Sequence, residues 1–534
     1  MGISRIATWK VSFAVMASRV LGLVREMVFA GLFGGSRWLD CFYLAFKVPN
    51  LLRDLFAEGA LSQAFVTTFT KRLKTDGDRP AWDLASKMLT LAAVFMSVVC
   101  AIGMIVAPHI VEGLTFLARH TDRKYDPAEL ALITTMVRIM FPFIALLSLS
   151  ALVMGMLNAK NIFGIPALSS CCFNLGSIIG GVSLGWWLDP EWGPRSLIGF
   201  SIGVLIGGLA QLSCQFPALR GVGYRWYANF QWRDSGVHKV IKLMVPAVIA
   251  ASVVQVNVLV NAIFAYGVDE GAVTWLNLAF RLMQLPIGVF GVAVATVTLP
   301  MLSRASTTGI TEEFRSTLQK GIGLVAFLVL PSTLVLVMLA EPIVSVLYER
   351  GNFDAHDRSQ TALALRAYGY GLLCYAWIKV IQPSFYAIDR RWVPMLVSLG
   401  SIGINIGLNY HFVFNLGWGH EALALTTSVV ACVNFLALFI AMRVMAGDIG
   451  TSDLLSLLSK LLVAGAVLAA ICLYGERMLF TDLGNQNILQ RLVGLILVSG
   501  FAGLGYLVMC HLLRVAEVRD AVAILARKLK TPPR

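Results

Sequence analysis

The 534-residue chain reads as an all-α polytopic membrane protein of about fourteen transmembrane helices. They are expected to form two six-helix lobes related by a pseudo-twofold, with two further helices at the C-terminal end. Three observations predict this. The first is composition: 57% of residues are hydrophobic and 14% charged, with mean hydropathy +0.76, against about 25% charged and 45–50% apolar in soluble domains. The second is a succession of apolar runs about 20 residues long, enough to cross a bilayer as helices. The third is an internal repeat. Ala45-Phe46-Lys47 recurs as Ala279-Phe280-Arg281 at an offset of 234, and Asn158-Ala159 with Pro166 and Leu168 recurs as Tyr386-Ala387 with Pro394 and Leu396 at an offset of 228.

Taken in order, the expected spans are 8–33, 39–70, 84–111, 129–158, 164–188, 195–218, 237–266, 271–303, 318–347, 359–388, 392–415, 420–445, 455–475 and 488–513. The repeat puts helices 1–6 (residues 1–220) in register with helices 7–12 (221–446). Helices 13–14 (447–513) fall outside it, and 514–534 form a basic tail. Two six-helix halves of equal orientation are a transporter plan, with substrate near mid-membrane. Arg19 and Arg25 interrupt the first apolar run and no small-residue cleavage site follows, so that run is expected to stay as a helix.

Lys/Arg bias of the short loops sets orientation. Lys71, Arg72, Lys74, Arg79, Lys160, Arg220, Arg225, Arg233, Lys239, Lys242, Arg304, Arg390 and Arg391 gather on one side, which is therefore cytoplasmic, with both termini. This bias, with arginines inside the membrane, accounts for the net charge of +13 without nucleic acid. The nine cysteines lie in or beside apolar segments with no metal-type spacing and read as small buried hydrophobes.

The first two helices carry Arg19, Arg25, Glu26, Asp40, Lys47, Arg53, Asp54 and Glu58. A charge at mid-bilayer costs roughly 2.5 to 3.5 kcal/mol on insertion scales, so such groups face a partner or a water-filled cavity. Asp40, Lys47, Asp54 and Glu58 share one helical face by spacing, and Glu26 lies one face-repeat from Arg19. The arginines Arg19, Arg25, Arg53 and Arg281 come from both halves. Their planar, permanently charged forks suit phosphate oxygens. A cationic chamber implies an anionic substrate, with phosphates as the leading class. Asn257, Asn261, Asn405, Asn409 and Thr427 form a neutral polar set. A hard cation prefers carboxylate oxygen, and none stands with them, so Asn261, Asn405, Asn409 and Thr427 offer at most a weak cation site. No Walker A loop, nucleophile elbow or metal-ligand cluster is present, so neither an enzyme, a cofactor nor a metal is expected.

Ser18-Arg19-Val20-Leu21-Gly22-Leu23-Val24-Arg25-Glu26, Asp40-Cys41-Phe42, Pro49-Asn50-Leu51-Leu52-Arg53 and Phe56-Ala57-Glu58-Gly59-Ala60-Leu61-Ser62-Gln63-Ala64-Phe65 closely resemble the MurJ (MviN) family of lipid II flippases. So does Arg281-Leu282-Met283-Gln284-Leu285-Pro286 followed by Gly288-Val289-Phe290-Gly291-Val292-Ala293. The family sits in the multidrug/oligosaccharidyl-lipid/polysaccharide exporter superfamily, and the resemblance covers essentially the whole chain. It implies movement of lipid II across the bacterial cytoplasmic (inner) membrane by alternating access. Arg19, Arg25, Arg53 and Arg281 would engage the diphosphate-sugar headgroup, with Glu26, Asp40 and Glu58 in support. Helices 13 and 14 would form a groove for the polyprenyl tail. The chain departs from the family at Glu26, where Asp is frequent, and at Asp54, where some members carry a second arginine. A sodium site of some members uses acids on helices 7 and 11, and the aligned Asn261, Asn405 and Asn409 carry none.

Lipid II and membrane lipids are therefore the expected partners, with no nucleic acid and a monomer as the working unit. A flippase for another undecaprenyl-diphosphate-linked oligosaccharide is the alternative, since the diphosphate is shared. A cation-drug antiporter would want an acidic cavity, and a non-transporting scaffold would not need membrane-buried arginines.

Overall fold

The computed structural model describes residues 5–117, 126–306 and 309–516, the side chains of 5–12, 57–60, 63, 246, 247, 249–251, 253 and 254 aside. Every regular element among these residues is a helix. The expected basic tail falls outside the described residues from 517 onward, as does 118–125 in the loop after the third expected span. The chain divides into two compact units, Met1–Thr274 and Trp275–Arg534.

The first unit opens with α1 (Arg5–Phe33) and α2 (Arg37–Arg53), the latter started by Ser36, whose hydroxyl accepts the Leu39 N–H at 3.3 Å. Pro49 removes one backbone donor inside α2, and the strand of hydrogen bonds loosens into a π-helical turn over Asp54–Leu61 before α3 (Ser62–Thr75). Helix α4 (Asp78–Leu114) has 37 residues, about 55 Å at 1.5 Å per residue and longer than a ~30 Å hydrocarbon core. Asp78, Arg79, Asp83 and Lys87 precede the apolar run from Met88 and Glu112 follows it, so both ends reach beyond the apolar stretch. Pro142 separates α5 (Pro127–Met140) from α6 (Pro142–Ala159). Phe65, Phe69, Leu84, Met88, Leu152 and Met156 form the core these helices share.

Helices α7 (Gly164–Leu188) and α8 (Ser196–Ser213) lie backbone to backbone. A Cβ on Gly203 would stand 2.4 Å from the Gly181 nitrogen, and one on Gly199 2.4 Å from that of Gly185. One on Gly207 would meet Ser177 Oγ at 2.2 Å. Small residues every fourth position on both helices permit this approach, the usual device where lipid offers no hydrophobic drive between helices. A short α9 (Phe216–Gly221) then leads into an irregular strap, 222–234, and to α10 (Ser235–Val268), which packs on α2, α3, α4 and the π-turn.

The strap is tied down by side chains. Tyr224 is 2% exposed, its Oη 2.9 Å from Ser86 Oγ, and its ring lies 5.1 Å from that of Trp82. Asn229 donates its N–H to Thr90 Oγ1 at 3.2 Å and its amide to Asp83 at 3.1 Å, while Tyr227 Oη donates to the same carboxylate. Asp234 caps α10, accepting from Gly236 N–H at 2.7 Å, Arg72 at 3.0 Å and Lys87 at 3.0 Å.

Helix α11 (Ala272–Pro286) runs from the last residues of the first unit into the second. A second π-turn, Ile287–Gly291, follows Pro286 and passes into α12 (Val292–Ala305). Then come α13 (Glu312–Met338), α14 (Ala340–Tyr348), α15 (Ala355–Gly369), α16 (Leu372–Ala387) and α17 (Trp392–Tyr410). A third π-turn, His411–Asn415, precedes α18 (His420–Ala446), α19 (Thr451–Leu479) and α20 (Ile488–Leu512). Within this unit Tyr506 donates to Phe327 O at 3.0 Å, and Arg491 bonds Glu349 and Ser345, each at 2.7 Å, fastening α20 to α13 and α14.

The internal repeat is legible in element boundaries. Helices α6 and α16 end at Ala159 and Ala387, and α7 and α17 begin at Gly164 and Trp392, in both cases 228 residues apart. The first two π-turns start at Asp54 and Ile287, 233 apart. Among the described residues ten helices are long and apolar enough to cross a membrane. Of the fourteen expected spans, 8–33, 39–70, 237–266 and 359–388 are not among the ten. The first two hold the buried charges, the third includes residues whose side chains lie outside those described, and the fourth is broken between α15 and α16 and carries Arg366 and Lys379.

Candidate functional site

On α1, Arg25 is 8% exposed and Glu26 1%. Arg25 Nη2 donates to Glu26 Oε1 at 2.8 Å, and Tyr43 Oη on α2 donates to Glu26 Oε2 at 2.5 Å. The guanidinium also lies over the Phe173 ring, 5.6 Å from its centroid. Its Nε is buried with no hydrogen-bond partner. An always-charged group in so dry a setting needs compensation, and one carboxylate with an aromatic face supplies only part of it.

Arg19, one and two-thirds turns earlier, is half-buried and makes no side-chain hydrogen bond or ion pair among the described residues. The pairing expected between Arg19 and Glu26 is replaced by Arg25 and Tyr43 at the carboxylate. Helix spacing favoured a partner seven residues away, but the Arg25 side chain reaches its immediate neighbour.

Arg53 closes α2 and donates to Asp54 Oδ1 from Nε at 3.0 Å and from Nη2 at 2.6 Å. Gln255 on α10 donates to the other Asp54 oxygen at 3.3 Å. Lys47 is half-buried on the same helix. Glu58 lies in the π-turn, outside the residues whose side chains are described.

Asp40 is fully buried, and its carboxylate is spent on the start of α11. Gly271 N–H donates to Oδ2 at 2.7 Å, and Thr274 donates to Oδ1 from N–H and from Oγ1, both at 2.8 Å. A carboxylate at a helix N-terminus answers the open amides and the positive end of the dipole. Sequence spacing put Asp40 on a charged face. Its partners lie more than 230 residues away, where no local pattern shows them.

In the second unit Arg281 is half-buried on α11. Asn405 and Asn409 on α17 are fully buried and bonded to each other, Nδ2 to Oδ1, at 3.1 Å, while Asn405 Nδ2 is buried with no partner. Thr427 Oγ1 donates to Leu423 O at 2.7 Å. Asn261 belongs to the first unit, half-buried on α10. Among the described residues no group of three His, Cys, Asp or Glu could hold a metal ion.

Residues 29–493 match the sequence profile of the family described as "Lipid II flippase MurJ". The chain is 36% identical over 437 residues to the lipid II flippase MurJ of Burkholderia cenocepacia, covering 81% of this chain and 82% of the relative. It is 33% identical over 428 residues to the probable lipid II flippase MurJ of Buchnera aphidicola, covering 80% and 81%. A solved structure of a lipid II flippase MurJ in an inward closed conformation superposes with TM-score 0.75 at 26% identity, over 96% of this chain and 99% of that one. An inward-facing multidrug-resistance transporter of the MATE family, described as belonging to the MOP superfamily, shares the fold at TM-score 0.66 and 15% identity, over 82% of this chain and 98% of that one.

Proposed function

Because this chain belongs to the MurJ family of lipid II flippases, we propose that it carries lipid II from the inner to the outer leaflet of the bacterial cytoplasmic membrane. It is a multi-pass membrane transporter and not an enzyme. The observation that carries the site assignment is Arg25: a buried guanidinium with one acidic neighbour and one orphaned N–H. A diphosphate would fill that donor and supply the missing negative charge.

In this reading Arg19 and Arg25, with Arg53 and Arg281, engage the diphosphate and sugar. Glu26, held by Tyr43, keeps the Arg25 fork oriented and moderates its charge, so that substrate can leave as well as enter. Asp40 contributes by holding the start of α11, and Glu58 by lending negative charge to the π-turn. The turns at Asp54–Leu61 and Ile287–Gly291 are suited to the bending that alternating access requires. Helices α19 and α20 present Leu455, Leu462, Ile496, Phe501 and Leu504 outward, an apolar wall suited to the polyprenyl tail. Both termini are taken as cytoplasmic, the two repeats as functional halves, and a monomer as the working unit.

The test is binding of purified protein to lipid II, undecaprenyl phosphate and a zwitterionic lipid, for wild type and Arg25→Ala, with complementation of a strain depleted of its lipid II flippase. Selective lipid II binding lost in the variant, with rescue by the wild type alone, is expected. Equal binding of all three lipids would overturn the assignment.

A further inference from the structure

The first unit holds a cavity of about 870 Å³ that the arginine constellation does not use. Leu89 and Ala93 of α4, Leu149 and Val153 of α6, and Leu212 of α8 form its apolar depth. Arg220, Arg225 and Trp226 stand at its mouth, all three exposed. The volume falls within the ~300–1,000 Å³ range of small-molecule sites.

Three features say what would fill it. Its depth in the membrane is set by Lys87, the last charge on α4 before the apolar run from Met88. Leu89 and Ala93 therefore lie just inside the hydrocarbon boundary, and the arginines at the mouth lie at headgroup level. Its roof is preformed, because the strap from Gly223 to Trp226 is pinned through Tyr224 to Ser86 and through Asn229 to Thr90 and Asp83. Its surroundings are cationic and aromatic: Arg233, Lys239, Lys242, Tyr227, Phe230 and Trp232 are all exposed along the strap and the first turns of α10. Exposed Trp, Tyr, Lys and Arg together mark a membrane–water interface.

We propose that this cavity is a structural binding site for an anionic phospholipid of the leaflet that the loop charges assign to the cytoplasm. One acyl chain enters the slot between α4, α6 and α8, and Arg220 and Arg225 hold the phosphate. Paired guanidinium donors at the mouth of an apolar slot match a phosphate joined to a hydrocarbon chain. The headgroup charge separates this occupant from zwitterionic lipid. The site stands apart from the proposed transport residues, so it can fail without that reading failing.

Purified full-length protein is incorporated into vesicles of phosphatidylcholine containing a trace of phosphatidylglycerol with a photoreactive acyl chain. After illumination, label is mapped by peptide. Label is expected on peptides containing Leu149–Val153 and Leu212–Leu219, reduced about 30-fold or more in R220E/R225E, from roughly fivefold for each arginine charge lost near the surface. Ala93→Trp, which fills the slot, is expected to abolish label for photoreactive phosphatidylglycerol and phosphatidylcholine alike. Excess unlabelled phosphatidylglycerol displaces the probe, while glycerol phosphate and lipid II do not. Equal labelling by phosphatidylcholine, undiminished labelling in R220E/R225E, or displacement by lipid II overturns the proposal. Displacement by glycerol phosphate assigns the mouth to a free phosphate and overturns it as well.

Discussion

Thr274 closes a two-point contact on Asp40: its N–H and its hydroxyl both reach Asp40 Oδ1 at 2.8 Å. The second carboxylate oxygen takes Gly271 N–H at 2.7 Å. A buried carboxylate thus does for α11 what an N-cap residue within the helix would do, from another helix.

Asp40→Ala leaves three buried donors open and is expected to destabilise the folded protein by about 2 kcal/mol or more. Asp40→Asn keeps one acceptor oxygen and costs less, and Thr274→Val, which retains the backbone N–H, costs least. Thermal unfolding of the detergent-solubilised protein checks the order. Equal melting points for wild type and Asp40→Ala would refute the capping role.

Tyr43 holds Glu26, the carboxylate partner of Arg25, and so bears on the proposed arginine site. Tyr43→Phe removes a hydrogen bond to a charged acceptor, worth about 1.5 to 3 kcal/mol, and frees Glu26 to close more fully on Arg25. Lipid II affinity is therefore expected to fall by roughly tenfold while undecaprenyl-lipid selectivity survives. Arg25→Lys is expected to lose more, because a point charge cannot replace the planar fork. Titration with lipid II separates the two.

The strap is expected to be acid-labile at its two carboxylate anchors, Asp83 and Asp234, both held below the ordinary carboxylate value. Burial pushes the Asp234 carboxyl up, but hydrogen bonds from Lys87, Arg72 and Gly236 outweigh this and hold it at about 2, below the ordinary value of 3.8. A carboxyl whose folded value is depressed stabilises above its unfolded value and loses that contribution as pH falls through the folded one. The strap is expected to be unchanged from pH 8 to about 5 and to loosen between about 4 and 2. Its exposed tryptophans, Trp226 and Trp232, report this by fluorescence. Asp234→Asn is expected to reduce the acid transition, leaving the part that belongs to Asp83, and a transition near pH 6 would point to a different group.

The glycines of α7 and α8 differ from those of α17 in what a side chain would meet. Gly203→Ala drives a methyl into the Gly181 backbone and is expected to cost several kcal/mol or abolish expression, overpacking alone costing roughly 1 to 3. Gly400→Ala, Gly403→Ala and Gly407→Ala, where nothing lies within 4 Å, are expected to be neutral or to stabilise by up to about 1 kcal/mol. Expression and melting temperature of the four variants decide it.

Hydropathy was enough to read the helical class, because apolar length is local, and the repeat was read from residue matches at offsets of 234 and 228. The partners of the charges were not local. Asp40 looked like one of four groups on a face, yet its acceptors are taken by 271–274. Glu26 looked placed for Arg19, yet a side-chain rotamer delivers Arg25. Of the expected spans outside the ten, 8–33 and 39–70 carry charges and 359–388 is broken between α15 and α16, and the first two were argued from the Leu, Val, Phe and Ala that fill the positions between their charges. The cavity under the strap left no trace beyond scattered arginines and tryptophans, since its walls are ordinary apolar helix positions brought together from α4, α6 and α8.

The first two π-turns bear on the history of the chain. They start at Asp54 and Ile287, one residue from the 234-residue offset of the Ala-Phe-basic triplet that precedes them. A widened turn is rare in helices, and the same rarity in the same register of both halves is most simply inherited from a single ancestral half. The bend would then be older than the duplication.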